Sequence, residues 1–398
     1  MQMGKQEESY LENKRSVLLS ELKRISSFKL LPDEMNRLDI CMFSGGIVGR
    51  FVFQGLAWYF GDRLKYVCDN NEVAFGGKNY KGRKVLSVDE LAEIQETCIV
   101  LIAASEKYSG NIAHQLKGKG IKNIRLLNGD PVTRFMDVCF AKYAYEMLPK
   151  VWQILEDEIS KALILERLCE IFYHIDLPTH AYTSVPQALI PLELEVSKIP
   201  MIRFYNGQQY FPKDLDLHLT TKECLVDGGA YIGDTIDSFI KVVSNEFEKI
   251  YAFEIESGNY EKCRLRYEGD NRIEVVPYGL SDSEKEVFLS EGDNNQNYRA
   301  SSRGKRISKV VPLDSYLEKK KVSFIKMDIE GEELAALEGS RNIIEKQHPT
   351  LAICAYHKAS DIFDIPLWIK QVCPEYKIYL RHHSKGSLFE TVCYGIYT

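Results

Sequence analysis

No run of about 18 apolar residues occurs in the 398-residue chain, so a membrane-spanning helix is not expected. No CxxC pair occurs among the ten cysteines, most of which lie in apolar runs such as Asp39–Phe43. That absence argues against a disulfide framework or structural zinc, and leaves cysteine as a small buried residue of a reducing compartment. An excess of positive charge is also missing: 51 Lys and Arg stand against 57 Asp and Glu, a net charge of −6. Nucleic acid and anionic membrane surfaces are therefore not expected partners. The opening residues MQMGKQEESYLENKRS lack the apolar centre of a signal peptide, and the expected location is the cytoplasm. Repeats at solenoid periods and low-complexity tracts are absent too.

What is present is ordinary globular material, 45% apolar and 27% charged, enough for two or three domains. Residues 1–38 are charged with helical spacing (Leu18, Leu19, Leu22, Ile25). Residues 39–130 alternate strand and helix, with strands expected at Ile40–Phe43, Leu64–Cys68, Ile99–Ala103 and Ile121–Leu127. Such alternation implies parallel strands joined by crossover helices. Residues 131–208 read as a helical connector, helical over about 135–175, and residues 176–222 carry prolines at 178, 186, 191, 200 and 212 and read as turns or short strands. A second alternating region, 209–398, has strands expected at Cys224–Asp227, Ile250–Phe253, Ile273–Pro277, Ser323–Asp328, Thr350–Ala355, Tyr376–Leu380 and Phe389–Tyr397. The last two lack an intervening helix and predict a hairpin with an antiparallel edge. The expected fold class is α/β: a C-terminal seven-stranded Rossmann-like sheet, a smaller N-terminal Rossmann-like domain and a helical middle.

The sharpest local signal is Cys224-Leu-Val-Asp-Gly-Gly-Ala-Tyr-Ile-Gly-Asp-Thr235, a strand, a glycine-rich turn and a helix start. Gly229 and Gly233 allow backbone to approach a ligand, and Asp234 and Thr235 suit a helix N-terminus. Asp227 stands where a dinucleotide site has its first glycine. An acid there repels phosphate and suits a cationic or hydroxyl- and amine-bearing ligand. Glu254 ends the next strand, where a carboxylate accepts ribose hydroxyls. S-adenosylmethionine, with its ribose, ammonium and sulfonium and no phosphate, meets these requirements.

Four blocks resemble the FkbM-type S-adenosylmethionine-dependent methyltransferases: Val226-Asp-Gly-Gly-Ala-Tyr-Ile-Gly-Asp-Thr235, Tyr251-Ala-Phe-Glu254, Phe324-Ile-Lys-Met-Asp-Ile-Glu-Gly-Glu-Glu333 and Leu351-Ala-Ile-Cys-Ala-Tyr-His357. The resemblance covers about residues 209–398. It implies a seven-strand methyltransferase fold and methyl transfer, usually to oxygen, on sugars or secondary metabolites. It also implies cofactor contacts along Asp227, Gly228, Gly229, Tyr231, Gly233, Asp234, Thr235 and Glu254. The turn Tyr278-Gly279-Leu280 flanks adenine in such folds. After Glu254 the family has a proline and another acid, whereas this chain has Ile255-Glu256-Ser257.

Chemistry is expected at two further strand ends. Asp328 ends a parallel strand, where open α/β sheets bind ligands. Lys326 would neutralise the neighbouring acids, or serve as a base if burial lowered its pKa. His357 is a candidate general base for an acceptor hydroxyl, with a hydrogen-bonded structural histidine as the plain alternative. Asp328, Glu330 and His357 are candidate ligands of a divalent metal. Glu330, Glu332 and Glu333 also suit a helix dipole. His382 and His383, with Glu390, either border the acceptor pocket or lie exposed on a strand.

The first unit repeats the motif weakly: Cys41-Met-Phe-Ser-Gly-Gly-Ile-Val-Gly-Arg50 has Ser44, Gly46 and Gly49 at the fingerprint positions, and Asp69 ends the next strand. A nucleotide site, a substrate-recognition domain and a homo-oligomer contact all remain open there. The expected function is O-methylation of a small-molecule or glycan hydroxyl. Its rivals are a nucleotide-sugar-modifying oxidoreductase using the first turn, and a scaffold that binds cofactor without turnover.

Overall fold

The structure, a computed structural model, describes residues 5–27, 35, 37–44, 47–71, 75, 77–104, 106–126, 130–174, 206–291, 298–301, 306–384 and 390–398. Gly46, Leu127, the four prolines from 178 to 200 and Phe389 lie outside them. No helix of the described residues is long and apolar enough to cross a membrane. The chain divides into two compact units, one of Glu12–Pro149 and Cys169–Leu192, the other of Met1–Leu11, Lys150–Leu168 and Glu193–Thr398.

In the first unit the strands are β1 Asp39–Phe43, β2 Leu64–Cys68, β3 Asn79–Tyr80, β4 Arg83–Leu86, β5 Cys98–Ile102 and β6 Ile124–Leu126. They form one sheet in the order β3-β4-β2-β1-β5-β6, parallel except for the β3–β4 hairpin. Successive residues of β1 feed opposite cores: Ile40 and Met42 pack on one face, Cys41 and Phe43 on the other. Burial on both faces is why these strands read as unbroken apolar runs. The hairpin was not foreseen. Its turn residues Lys81 and Gly82 both have positive φ, the geometry of a type I′ turn, but a two-residue strand is too short to carry a periodic signal.

In the second unit β7 Cys224–Gly228, β8 Lys249–Phe253, β9 Ile273–Val276, β10 Gly279–Leu280, β11 Lys285–Glu291, β12 Tyr298–Ser301, β13 Arg306–Val311, β14 Phe324–Met327, β15 Thr350–Cys354, β16 Lys377–His382 and β17 Thr391–Ile396 follow in turn. Seven of them form the expected sheet, in the order β16-β17-β15-β14-β7-β8-β9. Only β17 runs antiparallel to its neighbours. It sits one place in from the edge, between β15 and β16, and all six of its residues are buried. A second sheet, β10-β13-β11-β12, had no counterpart in the sequence reading. Its strands, such as Lys285–Glu291, carry charges at every few positions and lack the apolar runs that marked the main sheet.

The helix Asp130–Ile154 stops and Glu158–His174 begins around Leu155-Glu156-Asp157. Leu155 bridges to Ile378, and the Glu156 N–H donates to the Ile378 carbonyl at 3.1 Å. Arg381, 3% exposed, donates to Asp157 and Asp214 at 2.6 Å each. Residues 150–168 are thus tied to the seven-stranded sheet through a buried cation on β16.

Candidate active site

The carboxyl ends of β7, β8, β14 and β15 converge, as parallel strands of a doubly wound sheet do. A cavity of about 380 Å³ opens there, in the size range of a small-molecule site. Its lining includes Gly229, Tyr231 and Glu254 from the ends of β7 and β8, and Tyr210, Asp328 and Tyr356 beside the ends of β14 and β15.

The turn after β7 explains its glycines. A Cβ on Gly229 would stand 2.0 Å from the Asp328 carbonyl oxygen, and its φ is +75°. A Cβ on Gly228 would meet Leu280 at 2.9 Å. Four non-glycine residues along the cavity also hold positive φ: Tyr210 (66°), Tyr231 (48°), Glu330 (58°) and Glu390 (72°). Each costs on the order of 1–3 kcal/mol, and such strain collects where a surrounding structure fixes a site.

Glu254 is pinned by two backbone donors, Tyr231 N–H at 2.8 Å and Glu256 N–H at 2.7 Å. Burial pushes its carboxyl up to about 7 against those donors. Asp227 is wholly buried and does not line the cavity; it pairs with Lys326 at 2.8 Å beneath the turn. Lys326 Nζ also donates to the carbonyls of Gly228 and Gly229 at 3.1 and 2.8 Å. Burial alone would lower the Lys326 pKa, but the Asp227 and Asp328 charges reverse this and raise it. Lys326 is therefore a fixed ammonium that ties β14 to the turn, and its shift runs opposite to what a base needs.

Asp328 faces the cavity. The hydroxyls of Tyr210 and Tyr356 donate to its two oxygens at 2.8 and 3.0 Å. Burial would raise its carboxyl, but Lys326, His357 and these two donors hold it below the ordinary range. His357 lies behind Asp328 and is absent from the cavity lining. Its Nε2 is 3.4 Å from Asp328 and 3.9 Å from Glu330, and its Nδ1 is 2.8 Å from Glu333. Burial would lower its pKa, yet the three carboxylates raise it to about 9. In the ligand-free protein His357 is charged at neutral pH, which is the wrong state for a base.

Residues 227–376 match the model of the methyltransferase FkbM domain. This stretch is an FkbM methyltransferase domain. A solved FkbM methyltransferase from Methylobacillus flagellatus KT shares 20% identity over 97% of this chain and 100% of its own, with a TM-score of 0.53, and so shares the fold. An rRNA methylase from Streptococcus thermophilus is similar at 14% identity over 50% of this chain and 92% of its own, with a TM-score of 0.30. Aeropyrum pernix fibrillarin, solved with natively bound S-adenosyl-L-methionine, is similar at 10% identity over 45% of this chain and 69% of its own, also at 0.30. None of the curated proteins matches the chain.

Four further sequence-named residues, two of them beyond the matched stretch, are absent from the cavity lining. Gly233 caps the helix Asp234–Val242, and a Cβ there would strike the Tyr267 ring at 2.5 Å. Tyr278 is not among the lining residues and sits under Lys309, 5.1 Å from its ring. His383 is buried, held between the Asn206 carbonyl and the Tyr394 hydroxyl at 2.7 and 2.9 Å, and His382 is buried against Thr391. Sequence reasoning missed Gln209, Tyr210 and Tyr356 as lining residues, and Glu333 as the partner of His357. Gln209 bonds to Glu390 across the cavity mouth, a contact between chain positions with no shared motif.

Proposed function

We propose that the FkbM domain is an S-adenosylmethionine-dependent methyltransferase that acts on a hydroxyl of a small-molecule or glycan acceptor. The observation that carries this reading is one cavity lined by both Glu254, after β8, and Asp328, after β14, on either side of the β7 glycine turn. The residues fit the cofactor. Glu254 spends one acceptor position of each oxygen on backbone N–H groups and keeps the rest for ribose hydroxyls. The glycine turn leaves room for a ligand along the backbone. Asp234, Glu254, Glu256, Asp328, Glu330, Glu332 and Glu390 line the cavity, and Lys326, the one lining ammonium among the described residues, is matched by Asp227. That balance favours a cation over a pyrophosphate.

The cofactor, when bound, supplies a methyl group already activated by its sulfonium. The chain's task is then alignment and proton removal. Asp328 is the acceptor-facing carboxylate, and Tyr210 and Tyr356 fix its two oxygens in place. Lys326 and His357 act through Asp328 and keep it ionised. Gln209 and Tyr210 line the cavity from outside the family-matched stretch, which supports a methyltransferase unit beginning near residue 209.

The test is calorimetric titration of the full chain with S-adenosylhomocysteine and, separately, with NAD. Heat with the former and none with the latter is expected. A folded protein that takes NAD and ignores S-adenosylhomocysteine would favour the oxidoreductase rival. Radiolabelled methyl transfer to a panel of sugars and hydroxylated metabolites then reads the acceptor. Asp328→Asn is expected to lower kcat at least tenfold while sparing S-adenosylhomocysteine affinity.

A further inference from the structure

Beside Asp328 lies a cluster of which the methyl-transfer reading uses only Asp328 and the charge of His357. Glu333, at the start of the helix Glu333–Glu338, is 1% exposed. Its Oε1 accepts the Ile329 N–H at 2.9 Å and lies 2.8 Å from His357 Nδ1. Those two atoms are close but do not meet at a hydrogen-bonding angle, and Nδ1 has no hydrogen-bond partner among the described residues. Glu333 Oε2 is buried with no partner either. Asp328 adds a third side chain, and one ligand atom from each of the three falls within 4.8 Å of the others.

This spacing is that of ligands around a shared centre. Ligand atoms at about 2.1–2.4 Å from one cation stand roughly 3 Å apart when adjacent and up to about 4.8 Å when opposite. A buried carboxylate oxygen with no donor is costly unless a positive charge faces it. The nearby lysines are engaged elsewhere, Lys326 with Asp227 and Lys358 with the Gly331 carbonyl; the positive charge that faces Glu333 without the cation is the His357 imidazolium, whose proton a bound cation would displace. Further acids add to the negative field, with Glu330 at 3.9 Å from His357 Nε2, and Asp361 accepting the Lys358 N–H. Asp328 is oriented from outside by Tyr210 and Tyr356, as metal-ligating carboxylates are.

We propose that Asp328, Glu333 and His357 bind a divalent first-row cation; one imidazole and two carboxylates suit Mn²⁺ or Zn²⁺. Glu333 thus replaces Glu330 in the ligand set expected from sequence. Binding of the cation stands apart from the methyltransferase reading. Its role rests on that reading: a cation held by Asp328 at the cavity wall would take an acceptor hydroxyl on an open position and make its proton easier to remove.

The experiment uses the full chain after chelator treatment, titrated with MnCl₂ and followed by loss of the free Mn²⁺ electron paramagnetic resonance signal. One Mn²⁺ per chain is expected, with a rise in melting temperature. Glu333→Gln and His357→Gln are each expected to weaken binding at least tenfold. If Glu333→Gln fails to fold by circular dichroism, His357→Gln decides. A folded wild type that leaves the Mn²⁺ signal unchanged, and whose melting temperature ZnCl₂ does not raise, overturns the site. Binding that both variants retain at full strength overturns it as well, and leaves His357 as an imidazolium shared between Glu333 and Asp328. S-adenosylhomocysteine titration of the same chelator-treated wild type separates the two readings: cofactor heat without Mn²⁺ binding removes the cation site alone.

Discussion

The two α/β units start from the same plan and end with different strand tips. In both, a buried strand is followed by a helix, and in both a glycine lies close against backbone: a Cβ on Gly49, in the helix Ile47–Phe60, would stand 1.8 Å from the Ser44 carbonyl oxygen, much as one on Gly229 would strike Asp328. At the carboxyl ends of β1 and β5 the first unit carries Ser44, Ala103 and Ala104; after β2 comes Asp69, whose carboxylate caps the Asn71 N–H at 2.8 Å. The second unit carries Asp227, Glu254, Asp328 and His357 at the same kind of place. The βα frame is common to both, and the chemistry depends on which side chains the frame presents. A shared turn motif therefore says little about a site until the strand tips are read with it.

The comparison can be broken most severely at Lys326. Lys326→Met leaves Asp227 charged and buried without its cation, and is expected to cost the second unit about 3–5 kcal/mol in chemical denaturation. No ion pair of this kind supports the described tips of the first unit. Next in size is Glu254. Its carboxyl is held at about 7 in the fold, above the ordinary glutamate value of about 4.5, so the unfolded chain ionises first. Stability should fall as pH rises from about 4.5 through 7, by at most about 3 kcal/mol, and Glu254→Gln should flatten that slope. The same variant should lose about tenfold or more in S-adenosylhomocysteine affinity, measured by calorimetry, because a neutral amide is a weaker acceptor for ribose hydroxyls.

The paired glycines sharpen the contrast. Gly49→Ala and Gly229→Ala should each destabilise by more than about 1 kcal/mol, since neither position can admit a methyl group. Only Gly229→Ala should also weaken S-adenosylhomocysteine binding; equal losses in both variants would mean that the first turn belongs to the cofactor site after all. The smallest effect is expected at Tyr278, which does not line the cavity. Tyr278→Ala should leave S-adenosylhomocysteine affinity within about twofold, whereas Leu280→Ala, which removes a lining side chain, should lower it by about threefold or more.

The legible part of the site was the part written in consecutive residues. Val226–Thr235 and Lys326–Glu333 each hold a strand end, a turn and a helix start within one window, and Tyr251–Glu254 a strand end at a fixed spacing from the first, so residue type and spacing were enough to pick out Gly229, Glu254 and Asp328, all of which line the cavity. The acceptor end was not legible. Tyr210 reaches Asp328 across 118 positions, and Gln209 reaches Glu390 across 181, and no local pattern encodes such contacts. Glu333 was visible but read as one of several charges suited to a helix start; only the packing shows it buried against His357. His357 looked like a base because an isolated imidazole titrates near neutrality, and three carboxylates gathered from different segments remove that property. The main sheet was readable from its apolar runs, while the β10–β13 sheet, with charges at every few positions, was not.

The place of β17 sets an order on how the protein comes into being. This strand lies inside the sheet, yet it follows every other strand in the chain. While the chain is being synthesised, β15 must wait with an open edge, and Glu390, which enters β17, cannot yet meet Gln209. Contacts between such distant positions form slowly. The cavity mouth is thus among the last parts to assemble, and a nascent chain carries its glycine turn long before it can hold an acceptor.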